Sequence, residues 1–237
     1  MQLSKERKKT LKDFVSKYKL RFKDFELLNS AFSHTSYTNE LGIDRILSYE
    51  RLEFLGDAVL KLAVSDILYN EYLTKNEGLL SEHRSIVVSD KTIAKFADKI
   101  GFSNLILLGN SEVGKKNESI LACAFEAFLG AIYLEFKDKG YICAKKFLID
   151  NFKDDILNTE YSNPKAQLQD FTQKLNHNLP EYVLMNESGP AHSKTFTIGV
   201  YYENKFIEKG EAKTKKEAEF IAAKAALIKL KEQYKEE

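Results

Sequence analysis

The stretch ERLEFLGDAVL, Glu50 to Leu60, decides how this chain is read. Three carboxylates, Glu50, Glu53 and Asp57, stand among apolar residues. On a helix of about 3.6 residues per turn they fall within an arc of roughly 60°, and Leu52, Leu55 and Val59 take the opposite side. Like charges on one narrow stripe repel, and apolar flanks raise the cost of each. Two readings fit. The stripe is a solvated acidic face, or it cradles a hard divalent cation such as Mg²⁺, which takes oxygen ligands. These eleven residues leave both open.

A second stretch bears on the choice. ILACAFEAFLGAIYL, Ile120 to Leu134, is almost wholly apolar, and Glu126 is its only charged residue. A lone buried carboxylate costs on the order of several kcal/mol unless it is paired or takes up a proton. Gly130, one turn on, leaves room for another helix to approach. If the two helices cross there, Glu126 faces Glu53 and Asp57, and four carboxylates converge as a cation site. A lysine partner or a backbone cap for Glu126 is the plainer alternative.

The totals set bounds. At 237 residues the chain has room for one large or two modest domains, and its 43% hydrophobic content is that of a globular protein. No apolar run reaches the roughly 18 residues of a membrane span. The opening MQLSKERKKT lacks the apolar core of a signal peptide. Two cysteines, Cys123 and Cys143, without a CxxC pair argue against a disulfide framework or a zinc site. A reducing, cytoplasmic setting without a membrane is expected. The net charge of +1 gives no hint of nucleic acid, so any such site must be local.

Periodicity divides the chain. Residues 1 to about 157 read as helical, with Leu11, Phe14, Val15 and Tyr18 as a first apolar stripe. The Glu50 helix is expected to run to about Tyr72. Ser81 is expected to cap a helix carrying Arg84 and Val87, and another begins near Ser89 or Asp90. A polar loop, 109–117, leads into the Glu126 helix. After a link at 158–163, Pro164 opens a helix at its favoured first position. Phe196, Ile198, Val200 and Tyr202 then alternate as a strand, Asn204-Lys205 is the expected hairpin turn, and a helix closes the chain from Lys215 to about Tyr234. The order is α-β-β-β-α in the last 70 residues or so.

These motifs carry a resemblance. ERLEFLGDAVL resembles the signature of the ribonuclease III family. FSHTSY (32–37), EGLLSEHRSIVVS (77–89) and NESILACAFEAFLGAIYLE (117–135) resemble three further segments of its endonuclease domain. NPKAQLQDFTQ, SGPAH and GEAKTKKEAEFIAAKAAL resemble a double-stranded-RNA-binding domain. The resemblance implies an all-α endonuclease domain at 1–157, a linker at 158–163 and an α+β RNA-binding domain at 164–234. It implies hydrolysis of double-stranded RNA by a homodimer with Mg²⁺, leaving 5′-phosphate and 3′-hydroxyl ends. Ribosomal RNA precursors and structured messages are the implied substrates.

Carried over by residue, Glu53, Asp57 and Glu126 match metal ligands, with Asp57 and Glu126 closest to the chemistry. Glu50, Glu77 and Arg84 match supporting positions, and Phe54 matches a dimer contact. Where the family has Asp in Leu-Ala-Asp-x-x-Glu-Ala, this chain has Cys123. A thiol is a poor Mg²⁺ ligand and favours softer ions, so Mn²⁺ enters as an alternative. The other reading is a double-stranded-RNA-binding protein whose nuclease is impaired by Cys123. His34, in FSHTSY, reads as a packing or hydrogen-bonding residue.

Residues 160–237 hold 12 Lys against 12 Asp and Glu, so RNA binding would depend on placement. Thr214 and Glu217 fit a capping box. Lys215 and Lys216 at the first helical positions oppose the helix dipole, which suits phosphate binding together with Lys213. Gln169 and Gln173, one turn apart, and His192 resemble the family's minor-groove contacts.

Overall fold

The computed structural model describes residues 3–114, 118–159, 164–176, 178–190 and 193–234. The chain forms two units, 1–159 and 160–237. The first is built from α1 (Lys5–Lys17), α2 (Phe25–Ser30), α3 (Thr35–Glu40), α4 (Glu50–Glu71), α5 (Glu77–Val87), α6 (Asp90–Lys99), α7 (Glu118–Glu135) and α8 (Gly140–Asn158). Helix α7 lies at its centre, against α4, α6 and α8. It can be apolar nearly all round because neighbours enclose it; ten of its residues are buried, among them Phe125, Phe128 and Ile132. The Phe128 ring lies 5.3 to 5.8 Å, centre to centre, from those of Phe14, Phe32, Phe102 and Phe147, and these contacts anchor α1 and α8 to the same core.

Helices α4 and α7 meet backbone to backbone. A Cβ on Gly56 would lie 1.7 Å from the Glu126 carbonyl oxygen, and one on Gly130 would lie 2.3 Å from that of Leu52. Each glycine is therefore the point where the other helix's backbone rests. Gly130 is the glycine the sequence offers for such a crossing, and Gly56, inside the signature itself, is its counterpart.

One local expectation in this unit is corrected. Helix α5 starts at Glu77, because the Asn76 side chain accepts a hydrogen bond from the Leu79 N–H at 3.0 Å. Ser81 lies inside the helix and donates to Glu77 at 2.8 Å. At its far end α8 runs to Asn158, where His83 Nε2–H donates to the Ile156 carbonyl and the Tyr72 hydroxyl to that of Leu157, both at 2.9 Å. Of the link expected at 158–163, only Asn158 and Thr159 are among the described residues.

The second unit comprises α9 (Pro164–Asn176), β1 (Glu181–Ser188), β2 (Thr195–Tyr202), β3 (Lys205–Ala212) and α10 (Lys215–Gln233). The strands form an antiparallel meander in the order β1-β2-β3. Leu168, Val200, Tyr202, Ile207 and the Ala222-Ala223-Ala226-Leu227 face of α10 make the core. The β2–β3 turn is centred one residue earlier than expected. Glu203 and Asn204 both take positive φ, 52° and 61°, the pairing a tight two-residue hairpin needs, and Lys205 is already paired with Tyr202. Among the described residues no helix is long and apolar enough to cross a membrane.

Gly56→Ala should lower the free energy of unfolding by about 3 kcal/mol or prevent folding, because backbone must move to admit the methyl group. Urea denaturation with an unchanged midpoint would contradict so close a crossing.

Candidate active site

The crossing brings Glu53 and Asp57 of α4 to Glu126 of α7. Glu126 is half-buried. Burial, and then the negative charges of Asp57, Glu53 and Asp90, push its carboxyl up to about 8. Glu53 is also pushed upward, chiefly by burial and further by Glu50, Asp90 and Asp57; a hydrogen bond from the Cys123 thiol opposes the shift. Asp90 is a member of this acidic group that the sequence pattern did not reveal. At the start of α6 it looks like an ordinary first-turn acid, and only the packing of α6 on α7 places its charge here.

Three of these acids already have an engagement of their own. Glu50 accepts from two of the three guanidinium nitrogens of Arg45, Nε at 2.7 Å and Nη2, which holds its carboxyl below the usual range. Asp57 Oδ2 lies 2.8 Å from Lys61 Nζ. Glu53 meets Cys123. Among the described residues no three His, Cys, Asp or Glu side chains stand in a chelating arrangement. The four carboxylates read from the sequence as converging thus share one region of negative charge without forming a closed cage. The donor chemistry still suits a hard cation, because Glu53, Asp57 and Glu126 offer oxygen, and because a bound positive charge would offset both the burial and the mutual repulsion that raise Glu53 and Glu126.

Cys123 sits within this group. Burial and the adjacent Glu53 push its thiol up to about 12, so it remains a neutral donor. Ser119 Oγ lies 3.9 Å from its sulfur. The buried Tyr49 lies beside the same thiol, and it packs edge-on against the His34 ring at 5.4 Å. His34 plays a structural part, since its Nδ1 accepts the Ser36 backbone N–H at 3.1 Å and caps α3. Tyr49 was not picked out from sequence, since one aromatic before a helix is an ordinary core residue.

The other residues carried over lie elsewhere. Phe54 projects from α4 with 84% of its surface exposed. Glu77 and Arg84 line a groove of about 620 Å³ with Leu62, Tyr69 and Leu80, and none of Glu53, Asp57 or Glu126 lines it. Arg84 donates to Ser65 at 3.0 Å.

In the second unit Thr214 Oγ1 accepts from the Glu217 N–H at 3.2 Å and starts α10 as expected. Lys213 donates to Ser193 and Thr195 at 3.3 and 3.4 Å, and the Lys215 ammonium lies 5.5 Å from the centre of the Phe196 ring. Lys216 is exposed, and Gln169 and Gln173 are both partly exposed on α9. His192 lies outside the described residues.

The family described as Ribonuclease-III-like matches residues 24–156, and the Double-stranded RNA binding motif matches residues 164–230. The chain belongs to the ribonuclease III family. It is an endoribonuclease whose sequence continues, after the nuclease domain, into a double-stranded-RNA-binding domain. It is 42% identical over 231 residues to Ribonuclease 3 of Borreliella afzelii, covering 94% of this chain and 93% of that protein. Ribonuclease 3 of Shouchella clausii is 38% identical over 237 residues, covering 97% and 90%. Two structures of the ribonuclease III nuclease domain from Campylobacter jejuni are similar to the first unit. One has a TM-score of 0.52 at 33% identity, over 65% of this chain and 97% of that one. The other has a TM-score of 0.51 at 36% identity, over 59% and 96%, and is described as flexible in a region involved in dimer formation.

The raised Glu126 pKa has a defined sign. Between its ordinary value of 4.5 and about 8, the folded ribonuclease III chain keeps a proton that the unfolded chain has released, so stability falls as pH rises through that window. In EDTA the free energy of unfolding should decline between about pH 5 and pH 8, and Glu126→Gln should flatten the decline. Denaturation series at several pH values check both.

Proposed function

We propose that the chain hydrolyses phosphodiester bonds in double-stranded RNA at the Glu53–Asp57–Glu126 site, leaving 5′-phosphate and 3′-hydroxyl ends. The observation that carries this reading is the placement of acids from two helices at the Gly56–Gly130 crossing, in a chain of this family. Glu53, Asp57 and Glu126 would hold a divalent cation, Mg²⁺ or Mn²⁺. When bound, such an ion lowers the pKa of a water and offsets charge on the phosphorane. Asp57 and Glu126 act nearest the scissile phosphate, Glu53 completes the oxygen set, and Glu50, held by Arg45, flanks it. Cys123 contributes a neutral thiol in place of a fourth anion.

Two copies of the chain pair through α4, with Phe54 of each buried in the other; an apolar ring left 84% exposed favours such a partner. Glu77 and Arg84, beside a groove on the same unit, support the assembled site. In the RNA-binding domain, Lys213, Lys215 and Lys216 receive phosphates at the start of α10. Gln169, Gln173 and His192 meet 2′-hydroxyls in the minor groove. The chain works in the cytoplasm on ribosomal RNA precursors and structured messages.

A perfect RNA duplex incubated with Mg²⁺, Mn²⁺ or EDTA tests the chemistry. Cutting should require metal and should drop by roughly 100-fold or more in Glu126→Ala. Cys123→Asp should raise the rate in Mg²⁺; no gain, with metal binding unaltered, would show that the thiol is no deficit. Metal-free duplex binding tests the second domain. Replacing Lys215 and Lys216 together by Ala should weaken binding and reduce the slope of log affinity against log salt by roughly one unit per lysine.

A further inference from the structure

We propose that Lys61 sets how tightly the acidic site takes a divalent cation, because its ammonium holds Asp57 in the cation-free protein and opposes the incoming charge. The inference rests on the metal reading of Glu53, Asp57 and Glu126 and concerns a residue outside that set.

Lys61 lies one turn beyond Asp57 and continues the stripe of Glu50, Glu53 and Asp57, the four positions spanning an arc of roughly 80°. Its Nζ lies 2.8 Å from Asp57 Oδ2. Asp before Lys at this spacing is the order that a helix favours. The same positive charge reaches Glu126, where it works against the upward push of the surrounding acids. Among the described residues Lys61 is the one cation paired with Glu53, Asp57 or Glu126; Arg45 holds Glu50, at the other end of the stripe. The stripe thus carries a cation at each end, and the one on Asp57 stands inside the proposed ligand set.

Packing does not require this placement. The Lys61 side chain is 54% exposed and has no part in the core. Its consequence is electrostatic. In the cation-free protein the ammonium offsets part of the repulsion among Asp57, Glu53 and Glu126 and holds the Asp57 carboxylate by Oδ2. A divalent cation on Asp57 comes within a few ångströms of a like charge, so binding requires the lysine to swing out. Lys61 is thereby a positioning residue that acts through Asp57: it stabilises the site without metal and lowers its affinity for metal.

Calorimetric titration of the RNA-free, full-length protein with Mn²⁺ in about 0.1 M salt, where charges within about 10 Å still act on one another, tests this. Lys61→Gln should bind Mn²⁺ about two- to fivefold more tightly than the wild type, the scale of one exposed ion pair. Lys61→Arg, which keeps the charge, should stay at the wild-type value. Equal affinities for wild type and Lys61→Gln, with binding still abolished by Glu126→Gln, would overturn the role of Lys61 alone. Absence of any Mn²⁺ binding sensitive to Glu126→Gln would overturn the metal reading as well. Tighter binding by Lys61→Arg equal to that of Lys61→Gln would also overturn the proposal, because charge would not be the cause.

Discussion

The backbone contact between α4 and α7 at Gly56 and Gly130 is the constraint on which the catalytic unit depends. Helices with ordinary side chains at their crossing keep their axes about 8–10 Å apart. Two glycines let one backbone rest on the other, with the Glu126 carbonyl against Gly56 and that of Leu52 against Gly130. Glu126 is thus tied at its own backbone to the turn of α4 that lies between Glu53 and Asp57. Its side chain, the one charge in an apolar helix, is held near the acids of the facing helix.

The repulsion this creates is moderated by neutral and cationic neighbours. Arg45 takes Glu50, Lys61 takes Asp57, and the neutral Cys123 thiol lies beside Glu53. Burial, and then the repulsion that remains, raises the Glu126 carboxyl to about 8. Cys123 gives the site a particular character. An anion at that position would add to the charge beside Glu53, whereas the thiol, pushed up to about 12, supplies a donor and no charge. The RNA-binding unit divides its charge differently: its acids and bases are equal in number, and lysines gather where α10 begins.

Much of the architecture was legible from local pattern. The apolar stripes of α1 and α4, the wholly apolar α7, Pro164 at the start of α9, the alternation of β2 and the Thr214 cap each express a backbone preference or a periodicity that acts within a few residues. Errors arose where two residues offered the same local signal. Asn76 and Ser81 can both cap a helix, and Asn76 does so because the turn after it is already helical. Asn204 can take either central place in a hairpin, and the ladder between Tyr202 and Lys205 selects the second.

By itself the sequence determined which residues are acids on one face of α4, that α7 carries a single charge, and that a glycine lies one turn from it. These follow from the 3.6-residue repeat and the cost of burying a carboxylate. Only the tertiary structure decided that Gly56 is the other half of the crossing, that Asp90 joins the acids from α6, that Tyr49 lies beside Cys123, and that Glu77 and Arg84 line a separate groove. Those are distances between elements remote in sequence. They are set by how close two helices can pack, and no periodicity within either helix encodes that separation.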